Sequence, residues 1–406
     1  MDLSVIIVSY NVRDFLEQCL LSVYRAAENT DCEIFVVDNN SADGSAAMVA
    51  TMFPRVKLIV NEKNLGFSSA NNQALRIASG RYILLLNPDT IIEEEGLTRC
   101  ILFMEEHPDA GAAGVRMING RGRFLPESKR ALPTPSTAFF KMTGLSKLFP
   151  RSSIFNRYYL GYLDDRSTGN VDIIPGAFMF LGRKAVEKAG LLDEEFFMYG
   201  EDIDYSYRIQ KAGYRNYYYP EVKIIHFKGE STRKEHLKAV VHFYHAMAIF
   251  VKKHFSGSIS DGLLFLINAA IFFSAGLALL KRLFILTVSF PARVIAKSPL
   301  AFKIRTVVVS DTEVFGSLVS LLTSKGRRNK IAGRISISPD DKTCEVLGHL
   351  SQLSEIIREN RIREVVYSGR NLSTSVIIDS MQTISESRVN IRIAPTGEEY
   401  LLGSRH

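Results

Sequence analysis

Four short apolar runs open the chain: "SVIIVSY" at 4–10, "EIFVVDN" at 33–39, "VKLIVNE" at 56–62 and "RYILLLN" at 81–87. Stretches with helical spacing lie between them, at 12–27 and 68–79. Strands alternating with helices predict a mostly parallel sheet covered on both faces. The pattern also says where function lies, because ligands of such sheets bind beyond the carboxyl ends of the strands.

The strand ends carry the polar residues of interest. The first run closes on Ser9-Tyr10-Asn11. The second continues as Asp38-Asn39-Asn40-Ser41-Ala42-Asp43-Gly44-Ser45. An acid placed like Asp38 suits a ribose or base edge, while a helix cap at Asp43 or Ser41 is the structural alternative, and spacing leaves both open. After the third run, Asn64-Leu65-Gly66 precedes a helix; Gly66 permits close backbone approach and the helix N-terminus can face an anion. An ordinary capped helix has the same pattern. The fourth run leads into Asn87-Pro88-Asp89. Farther on, "FFMYGEDIDYSYRIQKAGY" opens an amphipathic helix with Glu201, Asp202 and Asp204. Acids in a first turn complement the helix dipole. The preceding Phe196, Phe197 and Tyr199 also offer apolar surroundings that raise a carboxyl toward general-base range. His226 follows a short strand in "KIIHFKGEST".

At 406 residues the chain is long for one domain. Its four cysteines form no CxxC pair, which argues against a zinc site or a disulfide framework and fits a reducing compartment. The first apolar run has no charged region ahead of it and reads as a strand, not a signal peptide. The net charge of +7 is confined: residues 252–305 hold eight Lys or Arg and one acid, Asp261. Within that stretch, 263–280 is an uncharged run of 18 residues, the lower limit for a membrane-crossing helix. Basic residues around an apolar run point to anionic lipid rather than nucleic acid. Three parts follow: 1–255, a membrane-associated helical segment with linker at 256–300, and a smaller α/β domain at 301–406.

Six stretches in order, "VIIVSYN", "VVDNNSADGS", "NLGFSSANNQAL", "LLLNPDT", "PGAFMFLGRKAVEKAGLLDEEFFMYGEDIDYSYRIQKAGY" and "IIHFKGES", resemble family 2 glycosyltransferases of the GT-A fold, in their rhamnosyltransferase-like branch. The resemblance covers residues 1–255. It implies an inverting, metal-dependent transfer from a nucleotide sugar, a dTDP- or UDP-sugar and possible rhamnose donor, to a lipid-linked saccharide in surface polysaccharide synthesis. By that resemblance Ser9, Tyr10 and Asp38 contact the nucleotide, with Asn64, Gly66 and Asn87 in the donor site. Asp89 stands at the last position of the family's DxD motif, whose first Asp is Asn87 here, and binds Mg²⁺ or Mn²⁺. Asp202 is the catalytic base, Glu201 a neighbouring acceptor-binding acid, and His226 a second metal ligand. Arg130 is a candidate for an acceptor phosphate, or an exposed salt-bridge residue.

Residues 301–406 resemble the Rossmann-like domain of polyprenyl-phosphate sugar-phosphate transferases, on "VLGHLSQLSEIIRENRIREVVYS". Their first loop, Ser310-Asp311-Thr312-Glu313-Val314-Phe315-Gly316, lacks the glycines that a dinucleotide needs. A scaffold or docking role is expected for this domain. A single crossing at 263–280 would leave Lys281, Arg282, Arg293 and Lys297 at the exit, against the positive-inside tendency. The segment is therefore expected to dip into one leaflet, with both soluble domains on the cytoplasmic face of a bacterial inner membrane. A membrane-bound scaffold with an inactive transferase domain is the alternative function.

Overall fold

The computed structural model describes residues 1–134, 136–137, 140, 143–228, 236–255, 304–324, 329–338, 341, 345–395 and 400–403, plus five single positions between 269 and 280. The rest of the apolar stretch 263–290 lies outside the described residues. Among those described, no helix is long and apolar enough to cross a membrane.

The first domain runs β1 (Leu3–Ser9), α1 (Arg13–Ala26), β2 (Cys32–Asp38), α2 (Ser45–Met52), β3 (Lys57–Val60), α3 (Phe67–Leu75), β4 (Tyr82–Leu86), β5 (Thr90–Ile92), α4 (Gly96–Glu106) and β6 (Ala110–Ile118). After an excursion containing α5 (Leu145–Leu148) come β7 (Gly169–Val171), β8 (Phe178–Gly182), α6 (Arg183–Ala189), α7 (Glu201–Lys211), β9 (Arg215–His226) and α8 (His236–Phe255). The sheet order is β3-β2-β1-β4-β8-β6-β9-β5, with β7 pairing β9. β1 pairs in parallel with both β2 and β4, so Ser9 lies opposite Asp38 and Ile7 opposite Leu86. All seven β1 residues are buried. A central strand covered on both faces needs an unbroken apolar run, and period two then splits it. Leu3, Val5 and Ile7 pack with α1, α2 and α4, while Ile6 and Val8 pack with α3, α6 and α7.

The sheet is mixed, not mostly parallel. β8 enters between β4 and β6 and is antiparallel to both, because the chain returns from residues 119–177 without a helical crossover.

The second sheet is entirely parallel. It comprises β10 (Ile304–Val309), β11 (Asn329–Ser336), β12 (Val346–His349), β13 (Glu364–Ser368) and β14 (Asn390–Ala394), in the order β12-β11-β10-β13-β14. Helices α9 (Thr312–Thr323), α10 (Leu353–Glu359) and α11 (Thr374–Thr383) accompany it. The stretch "EVLGHLSQLSEIIREN", whose apolar spacing also fits a helix, begins as strand β12. Gly348 holds φ +153°, which a helix cannot accommodate.

This sheet packs against the first domain through one shared core. Ile91 of β5, Ile118 of β6 and Ile225 and Phe227 at the end of β9 join Ile377, Met381 and Ile391. Gly122 comes so close to α11 that an added Cβ would sit 2.1 Å from the Met381 carbonyl. Polar contacts rim the core. Glu94 accepts from the amides of Thr374 (2.6 Å) and Ser375 (3.1 Å) at the α11 N-terminus, and Lys223 pairs with Asp379 at 2.7 Å. Burial disfavours ionised Glu94, yet the amides of the α11 N-terminus outweigh it and hold the carboxyl below its ordinary value. A lowered folded value adds stability that is full above the unfolded pKa and is lost as pH falls through the folded one. Glu94→Ala is expected to cost about 1 kcal/mol near neutrality, as loss of a helix cap does. Urea unfolding at about pH 7 and about pH 3 should show the gap to wild type closing in acid. A gap independent of pH refutes the ionised contact.

Candidate functional site

The parallel register of β1, β2 and β4 delivers three chain segments to one rim. Ser9 ends β1 and Asp38 ends β2; both are buried, and the Asn39 amide donates to the Ser9 carbonyl at 2.9 Å. Asp38 Oδ2 accepts from the Ser41 amide at 2.9 Å. Its Oδ1, Ser9 Oγ and Ser68 Oγ are buried with no hydrogen-bond partner among the described residues. Buried polar atoms of native proteins are nearly always paired. Two orphans at the ends of β1 and β2, and a third in the first turn of α3, therefore mark places where a polar ligand completes the bonding. Tyr10 is partly exposed beside them. Asp43 does not cap α2 as its N-cap, which is Gly44; its carboxylate takes the amides of Arg13 (2.8 Å) and Ser45 (3.1 Å) and so ties α1 to α2.

The loop carrying Asn64 and Gly66 closes the rim. Asn64 Oδ1 accepts from the Gly66 amide at 2.9 Å, and Asn39 Nδ2 donates to the Gly66 carbonyl at 3.0 Å. Gly66 has φ +84°, and a Cβ there would lie 2.5 Å from the Phe197 carbonyl. That carbonyl accepts from the Phe67 amide at 2.7 Å, joining this loop to the turn before α7. Tyr199 in that turn has φ +70°, a conformation costing a bulky residue about 1–3 kcal/mol.

At the end of β4, the Asn87 amide donates to Ala177 and its carbonyl accepts from Thr90 Oγ1 at 2.7 Å, so the Asn-Pro-Asp turn is held on both sides. Asp89 is 4% exposed. Thr90 lies opposite His226 in the β5–β9 ladder, which brings His226 Nε2 to 3.4 Å from Asp89 Oδ1. Among the described residues no three His, Cys, Asp or Glu side chains gather around one point. Two protein ligands fit a hard divalent cation that takes its other oxygens from a diphosphate and water.

Glu201 and Asp202 head α7, behind Gly200 in a left-handed conformation. Asp202 Oδ2 accepts from Arg130 Nη2 at 2.5 Å and from the Gly176 amide at 3.4 Å, and its Oδ1 accepts from the Ile203 amide at 2.9 Å. Gly176 adjoins Ala177, the partner of Asn87, so the Asp202 carboxylate and the Asn-Pro-Asp turn meet across one strand start. Arg130 is buried, not the exposed salt-bridge residue expected, and Tyr158 hydrogen-bonds to it as well. Sequence reasoning gave no role to Gly176 or Tyr158; the "PGAF" stretch was the only signal for the former. Burial first, then the neighbouring Asp202 charge, lifts Glu201 well above the usual carboxylate range, and its Oε2 has no partner among the described residues. Asp204 is structural. Fully buried, it pairs with Arg208 (2.8 Å), His254 (2.7 Å) and Lys253 (2.9 Å), clamping α8 onto α7.

Residues 4–190 match the family model described as Glycosyl transferase family 2. The chain is a glycosyltransferase with a family 2 domain. The N-acetylglucosaminyl-diphospho-decaprenol L-rhamnosyltransferase of Mycobacterium tuberculosis (strain ATCC 25618 / H37Rv) is 26% identical over 266 residues, 63% of this chain and 85% of the relative. Rhamnosyltransferase WbbL of Escherichia coli (strain K12) is 27% identical over 245 residues, 58% of this chain and 87% of its own. The solved mannosyltransferase PcManGT from Pyrobaculum calidifontis, in complex with GDP-Man and Mn²⁺, aligns with TM-score 0.45 and 18% identity over 72% of this chain and 77% of that one. That overlap is too loose to carry a ligand across.

The buried pair in this glycosyltransferase makes a measurable coupling. Removing one partner of a buried ion pair costs about 3–5 kcal/mol. Arg130→Met is expected to lose about that much in urea unfolding, while Arg130→Met combined with Asp202→Asn loses less than the two single losses added. Additive losses would show that the two groups do not sense each other.

Proposed function

We propose that this glycosyltransferase moves a sugar, rhamnose foremost, from a nucleotide sugar to a lipid-linked saccharide with inversion at the anomeric carbon. The observation that carries the reading is the fixed Asp202 carboxylate on the rim that also holds Asp38 and Asp89. Ser9, Tyr10 and Asp38 bind the nucleoside, the orphaned Asp38 Oδ1 and Ser9 Oγ taking its polar edge. Asn64, Gly66 and Asn87 shape the donor pocket. Asp89 and His226 would hold Mg²⁺ or Mn²⁺, which would supply charge neutralisation to the leaving diphosphate. Asp202 accepts the proton of the acceptor hydroxyl as that oxygen attacks the anomeric carbon and the nucleoside diphosphate departs from the opposite face. Arg130 and two backbone amides fix the direction of the carboxylate. Protonated Glu201 donates a hydrogen bond to the acceptor sugar. A single carboxylate serves this displacement, whereas hydrolysis of a glycoside needs two flanking the bond.

Membrane attachment on the cytoplasmic face belongs to the same proposal. Both relatives above are rhamnosyltransferases, and the name of the mycobacterial one specifies an acceptor on diphospho-decaprenol. Within the apolar stretch, the described Phe272, Phe273 and Leu280 are all exposed. The packing of the C-terminal sheet against β5 and β9 favours a segment that dips and returns, leaving both domains on one side. As a Rossmann-like domain, 301–406 acts as scaffold. Asp311 Oδ1 accepts from the Val314 amide at 3.0 Å and caps α9 where a phosphate would otherwise sit.

A panel of nucleotide sugars, assayed for nucleotide release with a polyprenyl-diphosphate saccharide, tests donor and acceptor together. Asp202→Asn is expected to lower kcat by about 10²–10⁴ while nucleotide binding persists. Asp89→Ala should abolish the response of turnover to added Mg²⁺ or Mn²⁺ in a protein that still unfolds cooperatively. Unchanged turnover in Asp202→Asn removes the base from this reading.

A further inference from the structure

Residues 143–163 form a protrusion whose chemistry the transfer reaction does not use. Among the described residues, five of the eighteen exposed large hydrophobics fall between 148 and 163: Leu148 (70% exposed), Phe149, Ile154 (64%), Tyr162 and Leu163. Side chains of this kind scattered singly need no explanation, but a cluster in one short stretch marks an interaction surface. The charge around Leu148, Phe149 and Ile154 is one-signed. No acid occurs from 128 to 163, where Lys147, Arg151 and Arg157 are all exposed, and Asp164 and Asp165 follow only beyond Tyr162 and Leu163.

The protrusion is built and not merely extended. Asn156 Nδ2 donates to the Pro150 carbonyl at 2.7 Å, and Phe155 packs between Phe140 and Phe149, each ring centroid 5.1 Å away. At its base, Lys129 Nζ donates to the carbonyls of Leu160 and Leu163, and the Ala131 amide donates to that of Tyr158 at 2.8 Å. Tyr158 in turn bonds Arg130, the partner of Asp202. One turn thus presents Ile154 to solvent and steadies the base from behind.

We propose that this protrusion is a membrane-contact surface, separate from the 256–300 segment, that seats Leu148, Phe149 and Ile154 in the headgroup region of an anionic bilayer. Apolar side chains enter the acyl boundary while Lys147, Arg151 and Arg157 meet lipid phosphates, the division of labour of interfacial elements. Exposed cations around Leu148, Phe149 and Ile154, with the next acids beyond Leu163, favour a lipid surface over a protein partner, whose rim would offer both signs. The inference rests on the lipid-linked acceptor reading for its purpose, because it holds the Asp202 end of the site against the plane where such an acceptor lies. Its test involves no turnover, so its failure leaves that reading standing.

The chain contains no tryptophan, so Phe149→Trp places a single indole on the protrusion of the full-length protein. With phosphatidylglycerol-containing vesicles, its emission is expected to shift to the blue and to be quenched by brominated acyl chains. Pure phosphatidylcholine vesicles should produce less of both. Adding Leu148→Glu and Ile154→Glu to the same variant should abolish the shift. An unshifted, unquenched indole on protein that pellets with anionic vesicles overturns the proposal. So does an equal response to both lipids, or a blue shift without vesicles that grows with protein concentration, which would assign the surface to a second copy of the chain.

Discussion

Where Arg130 meets Asp202, a guanidinium and a carboxylate are both taken largely out of water, and neither is affordable there without the other. Much of the first domain's geometry meets at this pair. It ties the excursion after β6 to the head of α7, and through the Gly176 amide it fixes α7 against the start of β8. β8 lies beside β4, so the carboxylate stands in a set relation to the Asn-Pro-Asp turn. In the role of base proposed for it, a carboxylate supported this way loses little on orientation when substrate arrives, which is how positioning lowers a barrier. Glu201, one residue earlier, bears the consequence: burial, with the Asp202 carboxylate beside it, lifts its carboxyl well above the usual range.

The second domain bears on the site by a different route. Its core is continuous with the far side of β5 and β9, the two strands that present Asp89 and His226. Strands at the end of a sheet are the ones most free to fray, and β5 is only three residues long. Covering it with α11, and capping α11 with Glu94, turns a weak edge into a fixed wall. On the opposite side of the first domain, buried Asp204 does comparable work by gripping Arg208, Lys253 and His254, so that the helix leading toward the apolar stretch is bolted to the helix carrying Asp202.

Much of this was legible in the residues. Three of the apolar runs became β1, β2 and β4 because strands buried on both faces must be apolar throughout, a pattern that survives any tertiary arrangement, while the remaining one became the half-exposed edge strand β3. The acids at the strand ends were found for the same reason, since the rim follows from strand direction alone. What escaped the sequence depends on pairings between distant segments. Arg130 looked like a surface residue because nothing local announces a partner 72 positions away. The strand at 346–349 has an apolar spacing that fits both periods, and only pairing with β11 decides between them.

By itself, the sequence determined the class of fold, the rim that holds the site and the residue types available there, because these follow from hydrophobic period and strand order. Only the tertiary structure decided that Arg130 is buried against Asp202, that burial lifts the Glu201 carboxyl above the usual range, and that a basic, apolar turn stands behind that pair. Those outcomes depend on burial and on charges brought within a few ångströms, and no one-dimensional pattern encodes either.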